Sequence, residues 1–347
     1  MKPDIMSMTR EELEELFREL GEPRFRAAQL FGWMNSGASF DEMTNLPLAL
    51  RRRLSEYTDY RLPTVERRLV SKRDGTVKYL FALSDGECVE SVLMRYSYGN
   101  TLCVSSQAGC RMGCAFCAST LSGRARDLTA SEILGQAVLA ARDSGERIHG
   151  IVMMGIGEPL DNYDNVIRFL HLVGNPDGLG IGMRHISLST CGIVPGIIRL
   201  ADEGLPVTLS VSLHAYDDEV RRSIMPIAKK YPLSELMPAC RYYFDRTGRR
   251  VSFEYTLISG KNDSLSDAAG LAALLRQYMD VPCHVNLIML NEVSETGLRS
   301  VGRERAETFM RELERLGQVA TIRRRLGSDI DASCGQLRLN RNRSADL

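Results

Sequence analysis

From Thr101 onward the chain alternates short apolar runs rich in β-branched residues with longer stretches of helical period. The strand candidates are TLCVS, GIVMMG, HISLST, PVTLSVSL, VSFEYTLI, CHVNLIML and VATIRR. Between most of them lie helical stretches such as SEILGQAVLAAR, VIRFLHLV, IIRLADEG and AAGLAALLRQYM. A helix between successive strands returns the chain to the same end of the sheet, so this rhythm predicts a parallel sheet covered by helices. Six or so such units curve most of the way to a barrel. The expected fold is therefore α/β, a partial (β/α)6 barrel of the TIM type, with its chemistry in the loops that follow the strands.

Upstream the pattern differs. Thr9 with Glu12 forms a capping box, and Leu13, Leu16, Phe17 and Leu20 recur at helical spacing until Gly21 stops the run. A second helix is expected from Arg24 to about Met34 and a third after Pro47. Between Arg61 and Leu102 the period changes, and TVKYLFAL and ECVESVLM, on either side of Asp85–Gly86, predict paired antiparallel strands. The expected organisation is a small helical domain over 1–55, a β-rich linker over 56–100 and a core over 101–347.

At 347 residues, 44% hydrophobic and 25% charged, the chain has the composition of a globular protein with one large and one small domain. The longest apolar runs, HGIVMMGIGEP and VNLIML, fall far short of the ~18 residues of a membrane span. The start, MKPDIMSMTREELEEL, lacks the apolar core of a secretory signal, so a cytoplasmic location and no membrane association are expected. Nine cysteines, an odd number, argue against a disulfide framework and for thiolates that bind metal or react. Charge is uneven: residues 1–50 carry five basic and nine acidic groups, 51–78 nine and four, and 318–347 six and three. The basic runs are either a solvated surface or a face for a polyanion such as RNA.

Cys110, Cys114 and Cys117 stand within CRMGCAFCAST. A structural zinc site closes with four ligands and a disulfide with two, so three clustered thiolates suggest a site with one position open. Zinc remains an option if a distant cysteine or histidine completes the set. A four-iron cluster with one iron left for a second molecule fits the three thiolates better. In MMGIGEPLDN, the glycines Gly155 and Gly157 let the backbone approach a ligand, and Glu158 can receive an ammonium group.

The cysteine spacing, Phe116 before the last cysteine and the strand–loop–helix setting resemble the radical S-adenosylmethionine (SAM) superfamily. The resemblance implies a [4Fe-4S] cluster whose open iron chelates SAM, and reductive cleavage of SAM to a 5′-deoxyadenosyl radical. The segments LCVSSQAGCRMGCAFCAST, MGIGEPLDN, LSTCGIVP, VSLHAYDDEVRRSIMPIAKKYP, LIMLNEV and GSDIDASCGQL, with RFRAAQLFGWM and EMTNLPLALRRRL upstream, are similar to the RlmN-type adenine C2 methyltransferases. That family acts on an adenosine of the peptidyl-transferase centre of 23S rRNA and, in several members, on the adenosine next to the anticodon of tRNA.

Position by position, the resemblance makes Cys110, Cys114 and Cys117 the cluster ligands. It assigns SAM contacts to Gly157, Glu158, Ser189, Ser212, Leu213, His214 and Asn291. Taken singly, those serines are strand-end turn residues, His214 a core histidine and Asn291 a cap. It also makes Cys334 the carrier of a methyl taken from one of two SAM molecules per turnover, Cys103 the thiol that later forms a disulfide with it, and Glu90 the proton acceptor. On the residues alone Cys103 is a buried small hydrophobe, and Glu90 an outward-facing strand residue. Cys334 stands in a polar loop with Arg323, Arg324, Arg325 and Arg338 near it in sequence, whose charge favours thiolate. The implied partners are rRNA, tRNA and an external electron donor of the flavodoxin or ferredoxin type, with the protein a monomer. The alternatives are the sister family that methylates adenine C8 and a zinc-bearing RNA module without turnover. Cys88, Cys191, Cys240 and Cys283 are expected in the core.

Overall fold

The computed structural model describes residues 2–121, 123–330 and 337. The chain opens with helices α1 (Arg10–Glu19), α2 (Phe25–Asn35) and α3 (Leu48–Tyr57). Thr9 caps α1 as the sequence predicts: its hydroxyl accepts from Glu12 N at 3.3 Å while Thr9 N donates to the Glu12 carboxylate at 2.8 Å. The apolar sides of these helices, through Leu13, Phe17, Leu30 and Phe31, join one continuous core with the rest of the chain. Ion pairs Glu42–Arg142 and Glu12–Arg168, each at 2.6 Å, fasten the rim of that contact.

Strands β1 (Thr64–Val70), β2 (Val77–Ala82), β3 (Cys88–Tyr96) and β4 (Gly99–Cys103) form an antiparallel meander. A small ribbon, β5 (Gln107–Gly109) with β6 (Arg124–Asp127), brackets the cysteine loop. The chain then alternates: α4 (Ala130–Ser144), β7 (Ile148–Met153), α5 (Tyr163–Gly174), β8 (Ile186–Thr190), α6 (Val194–Asp202), β9 (Thr208–Ser212), α7 (Asp218–Ile224), α8 (Leu233–Thr247), β10 (Val251–Leu257), α9 (Leu265–Tyr278), β11 (Cys283–Met289), α10 (Arg303–Arg315) and β12 (Ala320–Ile322). The main sheet runs β1-β2-β3-β4-β7-β8-β9-β10-β11-β12, parallel from β4 onward. Its parallel part comprises six β/α units, so the expected partial barrel is present. The antiparallel strands before it extend the same sheet.

The curl of this sheet brings its two ends together. Leu326, past β12, packs with Met94 and Cys103 of β3 and β4. The Asp329 carboxylate accepts from Ser71 Oγ at 2.6 Å and Lys72 N at 2.9 Å, and Gly327 N donates to Asp74 at 2.9 Å. Burial pushes the Asp74 carboxyl up, but hydrogen bonds from Gly327 N, Thr76 and Ser71 outweigh it and hold the group down at about 2. Leu337 packs on Leu80 and Cys88. Cys334 lies outside the described residues. Among the described residues no helix is long and apolar enough to cross a membrane.

Candidate active site

The cysteine loop is folded by its own backbone. Cys110 N donates to Gly123 O, Cys117 N to Cys114 O and Ala115 N to Ile224 O, at 2.9 to 3.1 Å. Gly113 takes a φ of +69°, a left-handed turn that a side chain disfavours. Cys110 is buried and Cys114 and Cys117 are half-buried, and all three line a cavity of about 210 Å³ at the ends of the parallel strands. Burial, with the charges of neighbouring thiols and Glu158, pushes the Cys110 thiol up to about 12 and Cys114 up as well. Left to themselves these thiols hold their protons; a strongly cationic centre is what makes them thiolates. Among the described residues no three His, Cys, Asp or Glu side chains converge as a single ion needs. A four-iron cluster instead takes one thiolate at each of separate corners, and the donor set fits it.

The strand ends supply the other walls. A Cβ at Gly155 would lie 2.6 Å from Val104 O, and one at Gly157, whose φ is +109°, 2.6 Å from Gln107 Cβ, so both positions need glycine. Glu158 is buried, its two carboxylate oxygens accepting from Leu160 N at 3.0 Å and Cys191 N at 2.7 Å. Its pKa is raised by burial, which outweighs those hydrogen bonds. Ser189, next to last in β8, and Ser212, last in β9, line the same cavity. His214 follows in a left-handed conformation, φ 58°, held by Asn262 Nδ2, which donates to His214 O at 2.7 Å. Its Nδ1 accepts from Thr256 N at 2.9 Å, so the ring proton sits on Nε2. Burial, then the nearby Arg221 charge, lowers its pKa to about 3 and keeps it neutral.

Two expected contacts lie elsewhere. Leu213 is fully buried, its N–H donating to Glu254 O at 3.0 Å and its carbonyl accepting from Arg221 Nε at 3.1 Å. Asn291 lines an adjoining cavity of about 160 Å³ with Cys103, Met94, Arg324 and Arg325; Met154, Ile288 and Arg323 border both spaces. Cys191 is buried in the core as expected, in a cluster with Ile224 and Met225, and it also lines the first cavity. Thr190 and Glu254, which the sequence reading missed, line it too. They end or fill strands whose apolar period hides single polar positions.

Glu90 does not face outward. It is 2% exposed, with Lys78 Nζ 3.0 Å from its carboxylate. Strand alternation puts it on the face of β3 that carries Val92 and Met94, which line the Cys103 cavity. Lys78→Met removes the cation beside a buried carboxylate, and a loss of about 3–5 kcal/mol in urea unfolding is expected. Lys78→Met with Glu90→Leu should recover most of it; no recovery would show that the pair is not the unit of stability.

The basic run over 51–78 is also largely committed within the protein. Arg51 donates to Phe40 O and Asp41 O, Arg53 to Leu20 O, and Arg61, Arg68 and Lys78 pair with Asp59, Asp143 and Glu90.

Comparisons with known proteins agree with this geometry. Residues 104–272 match the family model described as Radical SAM superfamily, and residues 3–59 the one described as Ribosomal RNA large subunit methyltransferase N-terminal domain. The chain is 51% identical over 346 residues to a probable dual-specificity RNA methyltransferase RlmN of Clostridium perfringens, covering 99% of both. It is 52% identical over 339 residues to one of Symbiobacterium thermophilum, covering 96% of this chain and 91% of the relative. The crystal structure of a radical SAM methyltransferase from Sphaerobacter thermophilus superimposes with a TM-score of 0.91 at 43% identity, over 96% of this chain and 98% of that one.

Proposed function

This chain belongs to the RlmN family of the radical SAM superfamily, and from that premise we propose that it methylates carbon 2 of an adenosine in 23S rRNA and of the adenosine beside the anticodon in tRNA. The observation that carries the reading is the pair of adjoining cavities, one walled by Cys110, Cys114 and Cys117 and the other by Cys103, with Met154 and Arg323 common to both.

Cys110, Cys114 and Cys117 would hold the [4Fe-4S] cluster. Bound there, it supplies the electron that cleaves SAM and so the radical that removes hydrogen from an S-methyl group. Glu158 presents a carboxylate for the methionyl amine, with Ser189, Ser212, the Leu213 backbone, the His214 Nε2–H and Asn291 around the rest of SAM. Adenine C2 is electron-poor and carries no acidic proton, so direct methyl transfer has no nucleophile to use. Cys334 solves this by attacking the methyl of a first SAM, releasing S-adenosylhomocysteine. Its activated methyl carbon then bonds to C2, and Glu90 accepts the C2 proton. The Cys103 thiolate attacks the Cys334 sulfur and breaks its bond to the transferred carbon; that carbon takes up a proton to become the methyl, the one unpaired electron passes to the external electron carrier, and a Cys103–Cys334 disulfide is left for a reductant to open. The base must leave its stack to reach this depth, at a cost of a few kcal/mol.

Cys103→Ala should stall the reaction with RNA bonded to the protein, seen as a ribonuclease-sensitive gel shift. Mass-spectrometric mapping with the unaltered enzyme should place the methyl on C2. A methyl on C8, or free product from Cys103→Ala at the normal rate, defeats the proposal.

A further inference from the structure

The arginines of the outer helices are mostly spent on ion pairs: Arg199 with Asp164, Arg241 with Asp245 and Asp280, Arg246 with Asp202. Those along the open side of the curl are not. A groove of about 540 Å³ runs from Met154 and Arg323, beside the Cys103 cavity, to His149, Arg184, His185 and Arg250 where the parallel strands begin. Among the described residues its lining holds no carboxylate, and Arg184 and Arg250 enter no ion pair. The charge of Arg323 acts on the buried Glu254, whose Oε2 accepts from Asn286 Nδ2 at 2.7 Å.

The same groove ends on an aromatic platform. Tyr96 and Tyr98 stack with ring centroids 5.0 Å apart and planes 6° from parallel, yet Tyr98 is 76% exposed. A large aromatic ring left in water is usually mobile; this one is held. Gly99, at φ +130°, lies so close to the His149 ring that a Cβ would come within 2.7 Å of it, and Asn100 N donates to His149 Nδ1 at 3.1 Å. The hairpin carrying Tyr98 is thus pinned against β7, and His149 Nε2–H is left as a donor to the groove.

A rigid stacking face, unpaired guanidinium groups and no opposing carboxylate are what an unpaired nucleotide needs: a π surface for its base and cations for its phosphates. We propose that this groove binds the single-stranded RNA that flanks the target adenosine, a neighbouring base stacking on Tyr98 and its phosphates meeting Arg184 and Arg250. The inference rests on the RNA methyltransferase reading and names where that substrate lies. A duplex does not fit it, because its bases present no free face to the tyrosine.

The test uses the full chain, reconstituted, with a fluorescein-labelled single-stranded RNA of about 15 nucleotides and the corresponding duplex, read by anisotropy across a salt series. Tyr98→Ala should weaken single-strand binding roughly 5- to 150-fold, while Tyr98→Phe retains it. Arg184→Ala with Arg250→Ala should lower the slope of log affinity against log salt by about 1.4, two contacts at ~0.7 each. Formation of 5′-deoxyadenosine from SAM without RNA should be unchanged in every variant. Wild-type affinity and slope in the variants, or equal loss on the duplex, would overturn the groove while leaving the methyltransferase reading intact. The expected binding losses alongside a wild-type protein that methylates no adenosine would do the reverse.

Discussion

Cys114→Ala is expected to lose the iron–sulfur chromophore and the formation of 5′-deoxyadenosine together, both to background. After anaerobic reconstitution the unaltered protein should be brown and contain iron and sulfide. The variant should be colourless, with iron at the level of a buffer control. The reason lies in the donor set. Burial and the mutual charge of the three thiols raise Cys110 and Cys114 far above neutral pH, so the proposed cluster would itself have to draw off their protons. Two remaining thiols then provide neither the charge nor the corners that a cluster with one open iron requires. The fold should survive, because the loop is held by Cys110 N, Ala115 N and Cys117 N through backbone bonds that alanine at 114 leaves in place. A urea midpoint near that of the apo wild type checks this. Zinc uptake by the wild type, with no chromophore and no SAM cleavage, would restore the metal-bearing RNA module.

What the sequence disclosed follows from the range over which each signal acts. The capping box at Thr9, the Asp85–Gly86 hairpin and all seven strands named from Thr101 onward were legible, because period and turn chemistry are local. Strand β1 was not named: nearly every position of it is exposed, so no alternation marks it. Helix α10 buries just Ala306, Phe309 and Leu313, with Met310 packed at the core's edge, within a charged stretch. The cysteine spacing suggests a metal site by itself, because it too is a local signal. Glu90 could not be placed, since β3 is buried on both faces over its first seven residues and the partner that neutralises it comes from another strand. The charge runs misled for a related reason. A sum along the chain counts Lys78 and Arg53, which serve the interior and a helix end, equally with Arg184 and Arg250, which are spread in sequence yet share one groove.

Arg221 and Arg222 make the same point more sharply and carry the last large effect. They are adjacent and identical in type, and only the 100° step of α7 separates them: Arg222 is exposed, its Nε donating to Asp218 O at 2.8 Å, while Arg221 is 0% exposed. Among the described residues the Arg221 guanidinium hydrogen-bonds only to backbone carbonyls: Nε donates to Leu213 O at 3.1 Å, Nη2 to Cys191 O at 2.8 Å and Ser212 O at 3.3 Å, and Nη1 to Tyr231 O at 3.4 Å. Burial pushes its pKa down, yet a guanidinium keeps its proton in any protein interior, so a cation stands behind the cysteine cavity. Its planar fork ties the loop after β8 to the loop after β9, the two that present Cys191, Ser212 and His214 to the site. Lysine has one point of attachment and cannot span them. Arg221→Lys therefore leaves at least one buried carbonyl unpaired, and a loss of about 2–4 kcal/mol is expected in urea unfolding. Arg222→Ala, on the same helix, should stay within about 0.5 kcal/mol of wild type. If the two variants unfold at the same urea concentration, the loops after β8 and β9 are held by something other than this guanidinium.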